Sequence, residues 1–110
     1  VLLDFWSPWC GPCKREIPNI KKVYDQYNSK GLEVVSIAVW EREPVQVTMD
    51  TAAALGMTWP QINNGQREPA EIYGVEGIPH LILFGPDGTI LKRGFHGYAG
   101  ILAAVSQYLD

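Results

Sequence analysis

The sequence predicts an α/β domain with a mixed central sheet flanked by helices. Apolar runs at Val1–Trp6 and Glu33–Trp40 are typical of buried strands, and an amphipathic segment separates them. Strand, helix and strand in this order form a βαβ unit with parallel strands. A turn signal at Gly85–Gly88 separates two later apolar segments and predicts an antiparallel hairpin. The 110 residues have room for one domain, residues 1–110.

The first helix is predicted from apolar residues that recur at helical spacing, with charged residues between them. These apolar residues are Ile17, Ile20, Tyr24 and Tyr27. We expect the helix to end near Asn28–Gly31, where Gly31 provides the stop. Pro18 lies inside the pattern and should kink the helix, because proline removes a backbone donor.

The later elements follow from shorter signals. Helices are predicted at Val45–Leu55, at Glu68–Tyr73 and from Tyr98 to Leu109. Extended segments are predicted at Trp59–Ile62, His80–Phe84 and Thr89–Arg93. The order of a βαβ unit, a helix and a ββα unit completes the α/β class.

Composition excludes several classes of protein. Hydrophobic residues make up 46% of the chain and charged residues 19%, which is typical of a folded domain with a core. Nine basic and twelve acidic residues give a net charge of −3, which argues against nucleic acid as a partner. No apolar run approaches the roughly 18 residues of a membrane span. Because the chain begins at Val1 inside an apolar run, we interpret it as part of a longer precursor, and any membrane anchor would lie outside it.

A C-x-x-C motif, Cys10 and Cys13, lies between the first strand and the first helix. Unpaired N–H groups at a helix start stabilise a thiolate, so we expect Cys10 to be the reactive sulfur at an accessible tip. Cys13 lies on the apolar stripe of the helix and should face the core. An accessible thiolate with a shielded partner is what disulfide exchange requires. Gly11 should permit the tight entry into the helix, and Pro12 should occupy its first turn.

A metal site and a pair of inert core cysteines are the alternatives for this motif. Zinc requires four ligands, and His80 and His96 are the other candidates in this sequence. We therefore predict no metal.

The segment Trp9–Lys14, preceded by Leu3–Trp6, resembles the active-site segment of thioredoxin-fold proteins. Gly77–Pro79 resembles the cis-proline loop of that family. Two further segments, Lys14–Pro18 and Gly31–Val35, resemble more narrowly the TlpA/ResA-like branch. The resemblance implies a thioredoxin-like fold with a helical insertion within about residues 41–65. It also implies that the N-terminal element of the full domain precedes the first residue and is missing from this chain.

The same resemblance implies a substrate-binding surface around the motif, formed by Trp9, Gly11, Pro12, Ile78 and Pro79. The bond before Pro79 would be cis, and Ile78 would offer its backbone N–H and C=O to an extended substrate chain. His80 follows directly. A lone histidine at the start of a strand is more often structural than catalytic.

Two carboxyl groups are implied as catalytic residues beside the cysteines. Asp4 matches the buried aspartate that lies beneath the second cysteine of thioredoxins and relays a proton as Cys13 attacks. Because Asp4 lies in an apolar strand, burial should raise its pKa. Glu16 matches an active-site glutamate of ResA-like proteins, and we expect it to lie nearer to solvent; a solvated helix charge is the alternative.

These observations predict a thiol–disulfide oxidoreductase that reduces protein disulfides and needs no cofactor beyond the Cys10–Cys13 disulfide. The resemblance implies an upstream thiol electron donor and an extracytoplasmic location in bacteria, periplasmic or membrane-anchored. Two alternatives remain. One is a tryparedoxin-like electron donor to peroxide-reducing enzymes. The other is a copper-binding chaperone of thioredoxin fold that uses both cysteines and a histidine.

Overall fold

A mixed sheet forms the centre of the computed structural model, which describes residues 1–63 and 67–109. In these residues the sheet has five strands in the order β3-β2-β1-β4-β5. Their bounds are β1 Leu2–Trp6, β2 Val34–Ala38, β3 Gln61–Ile62, β4 His80–Phe84 and β5 Ile90–Arg93. β1 runs parallel to β2 and antiparallel to β4, so the predicted mixed sheet is confirmed. β4 and β5 form the predicted antiparallel hairpin.

Four helices connect and cover these strands in the described residues. Their bounds are α1 Gly11–Tyr27, α2 Val45–Ala54, α3 Glu68–Ile72 and α4 Gly97–Leu109. α1 is continuous through Pro18 and is followed by a 3₁₀ turn at Asn28–Lys30. Gly31 ends this turn at φ 107°, a left-handed conformation that glycine adopts at little cost. Within the part of the chain that the structure describes, no helix is both long and apolar enough to cross a bilayer.

The central strand β1 is buried on both faces, as its apolar sequence predicts. Leu2 and Trp6 pack into one cluster with Cys13 of α1 and with residues of α4. Leu3 and Phe5 pack into a second cluster, with residues of α3 and of the segment after it. Side chains alternate between the two faces of a strand. Asp4 therefore lies on the face that α1 and α4 cover, which is the face of Cys13.

The second buried strand is shorter than the predicted Glu33–Trp40. β2 ends at Ala38, and Trp40 adopts a positive φ of 52°, which takes the chain out of the sheet. α2 lies inside the predicted insertion at about 41–65, whose last residues, 64–65, lie outside the described residues. The expectation that an element precedes Val1 concerns residues beyond this chain and stays a prediction.

Candidate active site

Cys10 and Cys13 form a disulfide at the N-terminus of α1, with their Cα atoms 5.2 Å apart. Cys10 is the residue that caps the helix, and the backbone N–H of Cys13 donates to Cys10 Sγ at 3.2 Å. Pro12 lies in the first turn as predicted, where its missing N–H has no helical partner to lose. We expected the helix entry to require glycine at position 11, but the backbone geometry does not require it. Gly11 is not among the residues with positive φ, so its backbone conformation is open to other residues.

The two sulfurs differ less in exposure than the sequence predicts. Cys13 is fully buried, as expected from its place on the apolar stripe. Cys10 is 5% exposed and is also buried, so the expectation of an accessible tip is wrong for the oxidised form. The tertiary structure explains the burial of Cys10, because the loop before β4 lies against the disulfide. Cys10 Sγ lies 3.9 Å from the carbonyl oxygen of Ile78 in that loop.

The loop before β4 contains a cis peptide bond between Ile78 and Pro79. Ile78 is partly buried and packs against the hydrophobic clusters on both faces of the sheet. This packing holds the Ile78 carbonyl beside Cys10 although 68 residues separate the two in the chain. The structure thus brings together two segments that the sequence analysis assigned to one site.

Asp4 is completely buried in the middle of β1. Ser36 lies opposite it in β2, and the Ser36 hydroxyl donates to Asp4 Oδ2 at 2.8 Å. The other carboxyl oxygen, Oδ1, is buried and has no hydrogen-bond partner in the part of the chain that the structure describes. Burial raises the pKa of Asp4 to about 7; the Ser36 hydrogen bond opposes this rise, and the charge of Glu16 adds to it. The direction of the shift agrees with the sequence prediction.

Glu16 lies in a different environment from the predicted one. Its side chain is buried, with 7% of its surface exposed, whereas the sequence predicted a more solvent-exposed position. The helical period explains this, because residue i+3 lies on the same face as Cys13. Glu16 Oε1 accepts from the side chain of Asn19 at 2.9 Å. The backbone N–H of Gly97, the first residue of α4, donates to Oε1 at 3.1 Å and to Oε2 at 3.2 Å.

Trp9 is the exposed aromatic residue next to the motif, with 37% of its surface accessible. Its indole N–H donates to the backbone carbonyl of Trp40 at 2.8 Å. The guanidinium carbon of Arg42 lies 3.7 Å from the centre of the Trp9 ring, a cation–π geometry. Trp9 is therefore fixed against the segment that follows β2, and Arg42 covers one of its faces.

A groove of about 490 Å³ opens beside the disulfide. Pro12 and Glu16 line it from α1, Pro79 from the loop before β4, and Phe95 and His96 from the loop before α4. Gly94 and Gly97 flank these two residues at φ 77° and 73°, conformations that favour glycine. The groove is therefore formed by three segments that are distant in the sequence.

His80 also borders the groove, and its contacts favour the structural interpretation. The Arg93 side chain donates to His80 Nε2 from Nη2 at 3.1 Å and from Nε at 3.3 Å. Because arginine only donates, Nε2 must accept, and the imidazole is neutral. Burial and the Arg93 charge lower the pKa of His80. Across the described ranges 1–63 and 67–109, no three His, Cys, Asp or Glu side chains form a group that could hold a metal ion.

The sequence analysis did not identify Ser36, Trp59 or Gly97 as part of this region. One signal was present for Ser36. It is the polar residue of a buried strand, and a second buried strand contains an aspartate that needs a donor. Trp59 Nε1–H donates to Ser36 Oγ at 2.7 Å, and no local pattern points to that contact. Gly97 contributes its backbone N–H, and a sequence pattern does not show where a backbone N–H will bind.

Comparison with known proteins agrees with this geometry. The family model for the AhpC/TSA family matches residues 1–93. Thiol-disulfide oxidoreductase ResA of Bacillus subtilis (strain 168) is 30% identical over 92 residues, which are 84% of this chain and 50% of ResA. The ResA of Halalkalibacterium halodurans is 33% identical over 92 residues, which are 84% of this chain and 51% of that protein. The chain thus spans about half the length of the curated relatives it matches.

Solved structures show the same fold. The thioredoxin domain of a thiol-disulfide oxidoreductase from Bacteroides vulgatus has a TM-score of 0.88 and 24% identity, covering 99% of this chain and 78% of that one. StoA from Bacillus subtilis has a TM-score of 0.78 and 27% identity, covering 94% of this chain and 80% of StoA. The predicted thioredoxin-like fold and the resemblance to ResA-like proteins are confirmed.

Proposed function

Because the chain belongs to the AhpC/TSA family, we propose that it is a thiol–disulfide oxidoreductase that reduces protein disulfides. The observation that carries this proposal is the Cys10–Cys13 disulfide at the start of α1, with the N–H of Cys13 directed at Cys10 Sγ and the Ile78 carbonyl beside it. The names of the ResA relatives, thiol-disulfide oxidoreductases, support the same chemistry.

The reduced protein carries out two exchanges in sequence. The Cys10 thiolate attacks one sulfur of a substrate disulfide, forms a mixed disulfide and releases the other substrate sulfur as a thiolate, which takes up a proton. Cys13 then loses its proton and attacks Cys10 Sγ. This second step forms the Cys10–Cys13 disulfide and releases the remaining substrate thiol. One substrate disulfide is thereby reduced to two thiols, and the protein dithiol is oxidised to the disulfide.

Asp4 is the residue that we propose to accept the Cys13 proton. It lies on the face of the sheet that α1 covers, and its pKa of about 7 lets it exist as base or acid near neutrality. Glu16 lies close enough to contribute to that pKa through its charge. Since Glu16 is hydrogen-bonded to Gly97, we propose that it acts as a positioning residue for α4 and as an electrostatic partner of Asp4.

Substrate would bind across the disulfide, against Trp9, Gly11, Pro12, Ile78 and Pro79. An extended substrate strand can pair with the backbone of Ile78, as in other cases of strand addition. The groove beside Pro12 and Pro79 gives room for side chains that flank the substrate cysteine. The proposed substrate is therefore a protein disulfide in an extended or locally unfolded segment.

Support for the reducing direction comes from the environment of the Cys10 sulfur. A disulfide is strongly oxidising when the thiolate of its reduced form is strongly stabilised. Among the contacts of the described residues, Cys10 Sγ receives one backbone N–H, from Cys13, and its other polar neighbour is the carbonyl oxygen of Ile78. A carbonyl oxygen does not stabilise a negative sulfur. This environment favours a modestly stabilised thiolate and therefore a reductant.

We further propose that electrons arrive from an upstream thiol donor and that the chain works without a cofactor. An extracytoplasmic location, in the periplasm or at a membrane anchor outside these residues, is proposed from the resemblance to ResA-like proteins. The 92 matched residues are about half the length of these ResA relatives, so each of these statements about the whole protein is a proposal.

The test is reduction of insulin by the protein with dithiothreitol as the donor, together with the reduction potential of the pair in glutathione buffers. We expect catalysed reduction that Cys10→Ser abolishes, and a potential nearer to the roughly −270 mV of thioredoxin than to the roughly −120 mV of DsbA. A potential near the latter value would overturn the reducing direction. Absence of any exchange by the parent protein would overturn the proposed activity.

A further inference from the structure

A hydrogen-bonded chain of three side chains ends on Asp4. Trp59 Nε1–H donates to Ser36 Oγ at 2.7 Å, and Ser36 Oγ–H donates to Asp4 Oδ2 at 2.8 Å. Ser36 and Asp4 are completely buried, and Trp59 is 4% exposed. The three residues come from the end of the segment before β3, from β2 and from β1. The contacts between these side chains therefore form only when the three segments pack together in the sheet.

The chemistry of these groups fixes the direction of the Trp59–Ser36 hydrogen bond, and that of the Ser36–Asp4 hydrogen bond while Asp4 is ionised. An indole N–H only donates, so Ser36 Oγ must accept from Trp59. The serine hydroxyl has one hydrogen, and while Asp4 is ionised that hydrogen is directed to Asp4 Oδ2 at 2.8 Å. Oδ1 is buried and has no hydrogen-bond partner among the described residues. Oδ1 is therefore the oxygen of the ionised carboxyl group that is free to take up a proton.

We propose that Ser36 and Trp59 are positioning residues that reserve Oδ1 of Asp4 for the proton exchanged with Cys13. This inference rests on the proposed function, in which Asp4 accepts that proton. The S–H bond of Cys13 breaks, its electron pair stays on sulfur for the attack on Cys10, and the proton moves to Oδ1. Without Ser36, either oxygen could hold the proton, and the orientation of the carboxyl group would no longer be fixed.

The first measurement is the titration of Asp4, followed by carboxyl ¹³C chemical shifts in the purified protein without substrate. Ser36→Ala removes the hydrogen bond that favours the ionised form, so we expect the midpoint to rise by about one pH unit. Trp59→Phe removes only the donor to Ser36 and should raise the midpoint by a smaller amount. Ser36→Thr retains the hydroxyl and should restore the parent midpoint. Ser106→Ala removes an exposed hydroxyl that bonds within α4 and should leave the midpoint unchanged.

The second measurement is the pH profile of the resolution step, the attack of Cys13 on a preformed mixed disulfide at Cys10. Ser36→Ala should move the profile to higher pH in parallel with the titration, and it should produce no further movement when Asp4 is already Asn. An unchanged or lowered Asp4 midpoint in Ser36→Ala and Trp59→Phe, with only a loss of thermal stability, would overturn the inference. The titration needs no substrate, so it decides the inference even if the protein fails to exchange disulfides, a result that would overturn the proposed function instead.

Discussion

Both carboxylate oxygens of Glu16 in α1 share the one backbone N–H of Gly97, which begins α4, as acceptors of a bifurcated hydrogen bond. The two residues are 81 positions apart in the chain. The first N–H groups of a helix have no partner within the helix and carry partial positive charge, so a buried carboxylate at this point is stabilising. Glu16 thereby fixes the helix of the reactive cysteines to the start of α4 and to the loop that lines the groove.

We expect Glu16→Ala to lower the free energy of unfolding by about 1–2 kcal/mol, because the partly buried Gly97 N–H would lose its acceptor. Glu16→Gln keeps one acceptor oxygen and should cost less. The measurement is urea denaturation at pH 7, with Glu43→Gln in an exposed loop as the matched control. Equal stability of the parent protein and the alanine variant would show that the contact does not support the fold.

The two cysteines should differ in their reaction with a small alkylating agent after reduction. Cys10 caps α1 and receives the Cys13 N–H, whereas Cys13 is fully buried. We expect Cys10 to react at least about tenfold faster near neutral pH. Mass spectrometry of partly alkylated protein measures the ratio, and Cys13→Ser should accumulate a mixed disulfide with substrate. Equal rates at both sulfurs would contradict the assigned roles.

Replacement of Asp4 by Asn should slow the resolution step and leave the first attack by Cys10 largely intact. The amide cannot accept the Cys13 proton, although it keeps the size of the carboxyl group. Rapid-mixing kinetics with a disulfide peptide separates the two steps. We expect the rate of the resolution step alone to decrease by about 10²-fold, which is the lower end of the usual contribution of general-base catalysis to a rate. If Asp4→Asn and Glu16→Gln both exchange at the parent rate from pH 6 to 9, neither carboxyl group accepts the proton.

The buried Asp4 should also make stability depend on pH. Its pKa is about 7 in the folded protein and close to the ordinary value of 3.8 when the chain unfolds. Between these values the folded chain holds a proton that the unfolded chain has lost, so stability falls as pH rises from about 4 to 7. Each pKa unit corresponds to about 1.4 kcal/mol, and the accumulated loss above pH 7 is a few kcal/mol.

Asp4→Asn has no such titration, which gives a direct comparison. As pH rises from 4 to 7, we expect the free energy of unfolding of the variant to increase relative to that of the parent protein. Above pH 7 the difference between the two free energies should be constant. Chemical denaturation of both proteins at pH 5 and at pH 8 measures this difference at each pH. A difference that does not change with pH would mean that the pKa of Asp4 is not raised in the folded state.

The sequence by itself determined the elements and their chemistry, because these depend on neighbours in the chain. The apolar run of β1, the period of α1 and the C-x-x-C motif between them are local patterns, and they predicted the βαβ unit and the reactive disulfide. The raised pKa of Asp4 was also predictable, since a carboxyl group inside an apolar strand must be desolvated. The resemblance to thioredoxin-fold proteins added the loop at Ile78 and Pro79.

The tertiary structure decided which groups meet across long distances in the chain. Glu16 was expected near solvent, but α4 packs on α1 and buries it against Gly97. Cys10 was expected at an open tip, but the loop with Ile78 covers it. Trp59, Ser36 and Asp4 meet only because β1 and β2 pair in register and the chain before β3 returns beside them. Such contacts depend on how distant segments pack against each other, and a local sequence pattern carries no information about that packing.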